Sequence, residues 1–171
     1  MPMPTPPKPG EEPTNESELY RYHLRRLITW YLEALDPLPV EAFGWRPPAA
    51  EANNLAAICA HAIASAEWWV LSCMGDGPLE RDRDAEFAAA NASWAELRPR
   101  FTGFLERAEA LVGGMDSARL AAVSRHPAGD RMNRRCLTHT VEHLGLHLGH
   151  VEITTDWWRS LQIPADQPRS S

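Results

Sequence analysis

The chain has 171 residues, with 17 Lys and Arg against 23 Asp and Glu and a formal net charge of −6. That length suits one domain rather than two. The acidic balance argues against a nucleic-acid or anionic-membrane binder, whose usual footprint is basic. No apolar run is expected to reach the roughly 20 residues that span a bilayer, and the N-terminal MPMPTPPKPGEEPTNES lacks the apolar core of a secretion signal. Three cysteines, Cys59, Cys73 and Cys136, are too few for a disulfide framework, so a reducing cytoplasm is the expected compartment.

Residues 1–16 are rich in proline and poor in apolar side chains, and 164–171 read similarly, so both are expected to be flexible tails around a domain at 17–163. Alternating apolar strands and Gly-rich phosphate loops are absent from the sequence, while Ala, Leu, Glu and Arg abound, so the fold class is all-α. A first helix is expected over about Ser17–Leu35, capped near Asn15 with Glu18 three residues on, and stopped by Asp36-Pro37-Leu38-Pro39. A loop through Trp45-Arg46-Pro47-Pro48 follows. The second helix starts at Asn53 or Asn54 and runs to about Met74, where Gly75-Asp76-Gly77-Pro78 is a strong stop. A short helix is expected around Asp84–Ala90. Ser93 and Glu96 form a capping box for the third long helix, which ends at Val112 before Gly113-Gly114, with Pro99 as a candidate kink. Residues 116–123 suit a small helix, and the fourth long helix runs from near Asn133 to about Leu161. Four long helices make a four-helix bundle, a fold that builds metal sites between facing helices.

Four of the seven histidines, His139, His143, His147 and His150, fall on this last helix. At about 100° per residue they share an arc of about 80°, with Cys136 inside it. Leu137, Val141, Leu144, Leu148 and Val151 flank the arc on one side and Leu146 and Ile153 on the other, so the arc is expected to point into the bundle. Buried imidazoles need partners for their nitrogens, and a divalent ion such as Zn, Ni, Cu or Fe is one. His139 and His147 lie about 12 Å apart along the axis, while a metal–nitrogen bond is about 2.0–2.1 Å. One ion therefore takes a neighbouring pair, His139/His143, His143/His147 or His147/His150, and the wheel does not choose. A third ligand must come from another helix. His61, the lone histidine of the strongly apolar second helix, is the inward candidate; His23 and His126 read as structural or exposed.

Trp45-Arg46-Pro47, Asn54-Leu55, and His61 with Glu67-Trp68-Trp69, followed by Val141-Glu142-His143-Leu144-Gly145-Leu146-His147-Leu148-Gly149-His150-Val151, resemble the DinB/YfiT-like metalloprotein superfamily over about residues 17–160. The resemblance implies a four-helix bundle, often a homodimer, holding one divalent ion, Zn or Ni, on three histidines. Matched residue by residue these are His61, His143 and His147. Members with assigned activities are mycothiol-dependent maleylpyruvate isomerases and bacillithiol transferases. The implied partners are therefore a low-molecular-weight thiol and an electrophilic small molecule, with no nucleic acid or membrane. This chain departs from the simple pattern by adding His139 and His150, the latter standing where a different polar residue is usual.

Three neutral histidines leave a cation with open positions, the pattern of a catalytic site, where a bound thiol loses its proton readily. The leading reading is thus a metal-dependent thiol transferase or isomerase. The competing readings are a non-enzymatic metal-stabilised bundle with a binding or stress-response role, a metal-dependent hydrolase, and a metal-free histidine core that responds to pH. No catalytic acid or base is assigned: Glu67, Glu142 and Glu152 read as solvated or capping charges, the three cysteines as packed thiols, and the seven tryptophans as core or interface anchors.

Overall fold

Helix α1, Glu16–Leu35, begins where the Asn15 side chain accepts the Glu18 amide. The Glu18 carboxylate turns one residue further back than a capping box requires and takes the amide and hydroxyl of Thr14 at 2.8 and 2.7 Å. The computed structural model describes residues 13–75 and 77–163; most of the expected N-terminal tail and the whole of the C-terminal one, 164–171, lie outside the described residues. After the Asp36–Pro39 stop, a five-residue helix α2, Val40–Gly44, sits in a stretch expected to be loop.

Helix α3, Leu55–Ala66, is capped by Asn54, which accepts the Ala57 amide. The chain then continues through a π-helical segment, Glu67–Met74, rather than ending or remaining α. Together they form a continuous stretch, Leu55–Met74, that is long and apolar enough to cross a bilayer, contrary to the expectation that no run would be. Most of it, 72% of the apolar window, is buried inside the fold, so its apolar character is consumed by the core.

Helix α4, Arg83–Ala88, and helix α5, Trp94–Gly113, follow; the Ser93–Glu96 capping box is fully made, and α5 runs through Pro99 unbroken. Helix α6, Ser117–Ala121, leads to a two-residue antiparallel pair, β1 Val123–Ser124 with β2 Arg131–Met132, which the sequence reading lacks. Helix α7, Asn133–Ser160, closes the chain.

The four long elements, α1, α3 with its π extension, α5 and α7, form the bundle: α1 lies against α5 and α7, and α3 against α7 and α5. The core sits between them, with Leu24, Ile28, Tyr31, Phe101, Phe104, Leu137 and Leu144 essentially without solvent contact. Tyr31 crosses the middle and donates its hydroxyl to the Leu144 carbonyl at 3.0 Å, which satisfies a polar group that burial would otherwise penalise. Leu137, Leu144, Leu148 and Val151 of α7 are buried as expected, but Leu146 and Ile153 are 60% and 67% exposed. The histidine arc therefore lies at the rim of the core, not deep between two apolar walls. The reason is coverage: α7 packs chiefly on α1 and on α3 with its π extension, and among the described residues nothing covers Leu146 and Ile153.

Candidate metal centre

His61 lies in the second turn of α3, where nearly every neighbour along the helix is buried, and is itself only 2% exposed. His143 and His147 stand one turn apart on α7 and are half-buried, because i and i+4 share a helix face. The packing of α3 on α7 brings the three together. The ring centroids of His61 lie 5.0 Å from both His143 and His147, and those of His143 and His147 are 4.4 Å apart. One ring nitrogen from each can be chosen so that all lie within 4.8 Å of one another. With bonds of about 2.0–2.1 Å, one cation could bridge them after small side-chain adjustments.

The ring nitrogens themselves bear on whether an ion fits. Nδ1 of His143 and Nδ1 of His147 are buried with no hydrogen-bond partner among the described residues, an unfavourable condition for a polar atom. Nδ1 of His61 is engaged by the Glu86 carboxylate at 2.9 Å, which leaves its Nε2. Burial, reinforced by the neighbouring His147 and His61, holds the pKa of His143 down to about 3; burial, with His61 and His150 beside it, holds that of His147 to about 4. Burial also lowers His61, partly offset by its hydrogen bond to Glu86. The three rings are therefore neutral at physiological pH, the form in which imidazole is a ligand.

The other histidines of the arc are separated by the same geometry. The His139 ring centroid is 5.5 Å from that of His143 but only 4.4 Å from that of Trp69, on which it packs at a tilt, and Trp69 in turn packs on His126 at 4.5 Å. These two rings thus extend an aromatic row away from the centre. His150 is exposed and 5.4 Å from His147. A cavity of about 360 Å³ opens on this side, lined by His147, His150, Asn53, Thr154 and Glu51 and by the apolar Pro47, Ala52, Ile58, Phe87 and Ile153. The centre thus meets a space large enough for a small molecule.

The thiols stay outside this chemistry. Cys59, Cys73 and Cys136 are all buried and unpaired. Burial pushes all three upward in pKa, Cys73 to about 11, so they are protonated and poor nucleophiles. Glu67, read as a solvated charge, pairs with Arg100 at 2.6 Å.

Sequence reasoning missed Glu86, Arg81 and Phe87. Arg81 donates to both carboxylate oxygens of Glu86 at 2.6 and 2.8 Å, and Phe87 stacks on His61 with ring centroids 4.2 Å apart. The expected short helix placed Glu86 and Phe87 on a helix, but nothing in its pattern points 25 residues back to His61.

The depressed histidines fix the sign of a pH effect in the metal-free protein. Folded His143 and His147 gain protons only near pH 3 and 4, whereas unfolded histidine does so near pH 6.5. Between these values the unfolded chain binds more protons, so stability is complete above about pH 6.5 and is lost as pH falls toward 4. The urea midpoint of metal-free protein should hold steady from about pH 8 to 7 and then decline by pH 4.5, and the decline should shrink in His143→Leu. A His143→Leu variant declining as steeply as the parent would contradict this assignment.

Comparison with protein families matches residues 23–151 to the DinB superfamily. No curated protein matches the chain.

Proposed function

The chain belongs to the DinB superfamily, and on that premise we propose that it is a metal-dependent enzyme that transfers or adds a low-molecular-weight thiol to an electrophilic small molecule. The family and the three-histidine group together fit a metal-binding protein of this fold. The finer reading rests on one observation: His147, one of the three neutral rings, lines a cavity of about 360 Å³, and among the described residues no fourth ligand joins the group. An open position is what separates catalytic from structural metal sites.

His61, His143 and His147 would hold the ion. When bound, Zn or Ni supplies Lewis acidity, which favours the thiolate form of a thiol at neutral pH. The chain does the rest. Ile58, Phe87 and Ile153 give the acceptor an apolar wall and limit water at the reacting carbon. His150, at the mouth of the cavity and open to solvent, is placed to carry the thiol proton outward. The sulfur lone pair forms the new C–S bond, and the displaced electron pair leaves with the leaving group or, across a C=C bond, takes up a proton on the adjacent carbon.

The test uses purified full-length protein, a panel of cysteine-containing low-molecular-weight thiols and a fluorogenic alkyl halide. Thiol transfer should require Zn²⁺ or Ni²⁺, stop with chelator and return when metal is restored. Transfer indifferent to complete metal removal would reject the proposal.

A further inference from the structure

Of the three candidate ligands, one is held differently from the others. Nδ1 of His143 and of His147 has no partner among the described residues, so no hydrogen bond there dictates which of their nitrogens carries hydrogen. His61 is gripped on two sides. Its Nδ1 meets Glu86 Oε2 at 2.9 Å, and Phe87 lies nearly parallel on its face, 23° from coplanar. Glu86 is itself fixed, because the Arg81 guanidinium takes both of its oxygens. The side chains of His61 and Glu86 are only 3% and 9% exposed, so the contact is shielded from water.

A carboxylate engaged by a bidentate guanidinium has only lone pairs to offer. The nitrogen facing it must therefore be the N–H of the ring. That assigns hydrogen to Nδ1 of His61 and leaves the lone pair on Nε2. Phe87 then restricts rotation of the ring plane, so the lone pair keeps one direction. All three constraining groups come from one short stretch of chain, Arg81 just before α4 and Glu86 and Phe87 within it.

We propose that Glu86, anchored by Arg81, is a positioning residue that fixes the tautomer and orientation of His61, making it the pre-set ligand around which His143 and His147 adjust. This rests on the cation-binding reading above. Groups that orient a ligating histidine are worth about 10–100-fold in metal affinity. A merely structural Glu86–His61 contact, stapling α4 to α3, would instead change folding stability and leave affinity alone.

The test is done on full-length protein with Zn²⁺ as probe. In the metal-free wild type at about pH 8, ¹H–¹⁵N correlation of the histidine rings should identify His61 as the Nδ1–H tautomer. In Glu86→Ala the population should move toward Nε2–H. Competition with a chromophoric chelator should give a Zn²⁺ Kd about 10–100-fold weaker in Glu86→Ala, with a smaller loss in Glu86→Gln, which keeps an acceptor oxygen and the side-chain volume. Arg98→Ala, which breaks the distant Asp36 ion pair, should leave Kd unchanged. An unchanged Kd in the folded Glu86 variants, or a wild-type His61 found as Nε2–H, overturns the proposal and leaves the cation site standing. A wild type that binds no Zn²⁺ overturns both.

Discussion

Loading the metal-free protein with Zn²⁺ at about a thousand times its Kd is expected to raise the melting temperature by about 8–16 °C. A ligand that binds only the folded state stabilises it by about 4.1 kcal/mol at that excess. For a chain of this size each kcal/mol moves the melting temperature by about 2–4 °C. The folded protein is the state that can bind, because its ligands come from α3 and α7, 82 residues apart between His61 and His143, and converge only when the two helices pack. Two buried imidazole nitrogens have no hydrogen-bond partner among the described residues, and a cation held by these rings would give a ring nitrogen of each a partner. His143→Ala should abolish the shift while leaving the metal-free melting temperature within a few degrees of the parent, since His143 is only half-buried. A shift that survives His143→Ala would place the binding elsewhere on the chain.

The second large effect concerns the bundle itself. Phe101→Ala should cost about 3–5 kcal/mol of stability, the range for a large aromatic removed from a closed core, and lower the melting temperature by about 6–20 °C. Phe101 is fully buried and packs against Tyr31 and Trp94 at 4.9 and 5.6 Å between ring centroids. It joins α5 to α1, and Tyr31 on α1 in turn bonds the backbone of α7 at Leu144. The cavity left behind sits among rings that cannot collapse into it without moving helices. Since α5 carries none of the three histidines, the Zn²⁺ affinity of the folded variant should remain close to that of the parent. A loss below about 1 kcal/mol, read from urea unfolding, would mean that this part of the core is not closely packed.

What the sequence could and could not convey divides along physical lines. The long helices were legible because capping chemistry is local: Asn15, Asn54 and the Ser93–Glu96 box each start a helix where their side chains dictate. That a neighbouring pair on the last helix would meet His61 was legible in outline from spacing and apolar surroundings, but spacing left three pairs open, and His143 with His147 was singled out only by the family resemblance. The π segment Glu67–Met74 was not, because it arises from a shift in backbone pairing that its composition does not announce. The β1–β2 pair, two residues to a strand, is too short for alternation to register. The wheel misjudged Leu146 and Ile153 because hydrophobicity marks what a helix could bury, whereas exposure depends on whether another helix arrives to cover it. Glu86 escaped for a related reason: in Arg81-Asp82-Arg83-Asp84-Ala85-Glu86 it is one of several alternating charges, and only the tertiary fold singles out the carboxylate that reaches His61.

The asymmetry among the three histidines also bears on how the site would work. His61 is clamped by Glu86 and Phe87, whereas His147, which lines the cavity together with Phe87 and His150, has no such clamp among the described residues. A small guest entering there would meet His147 rather than His61.

An anomalous-difference map from crystals grown with Zn²⁺ and collected on both sides of the zinc absorption edge tests the central claim most directly. One peak per chain, within about 2.0–2.1 Å of a ring nitrogen from each of His61, His143 and His147, is the predicted result. A peak held by other residues, or none at these three rings in the presence of excess zinc, would contradict it.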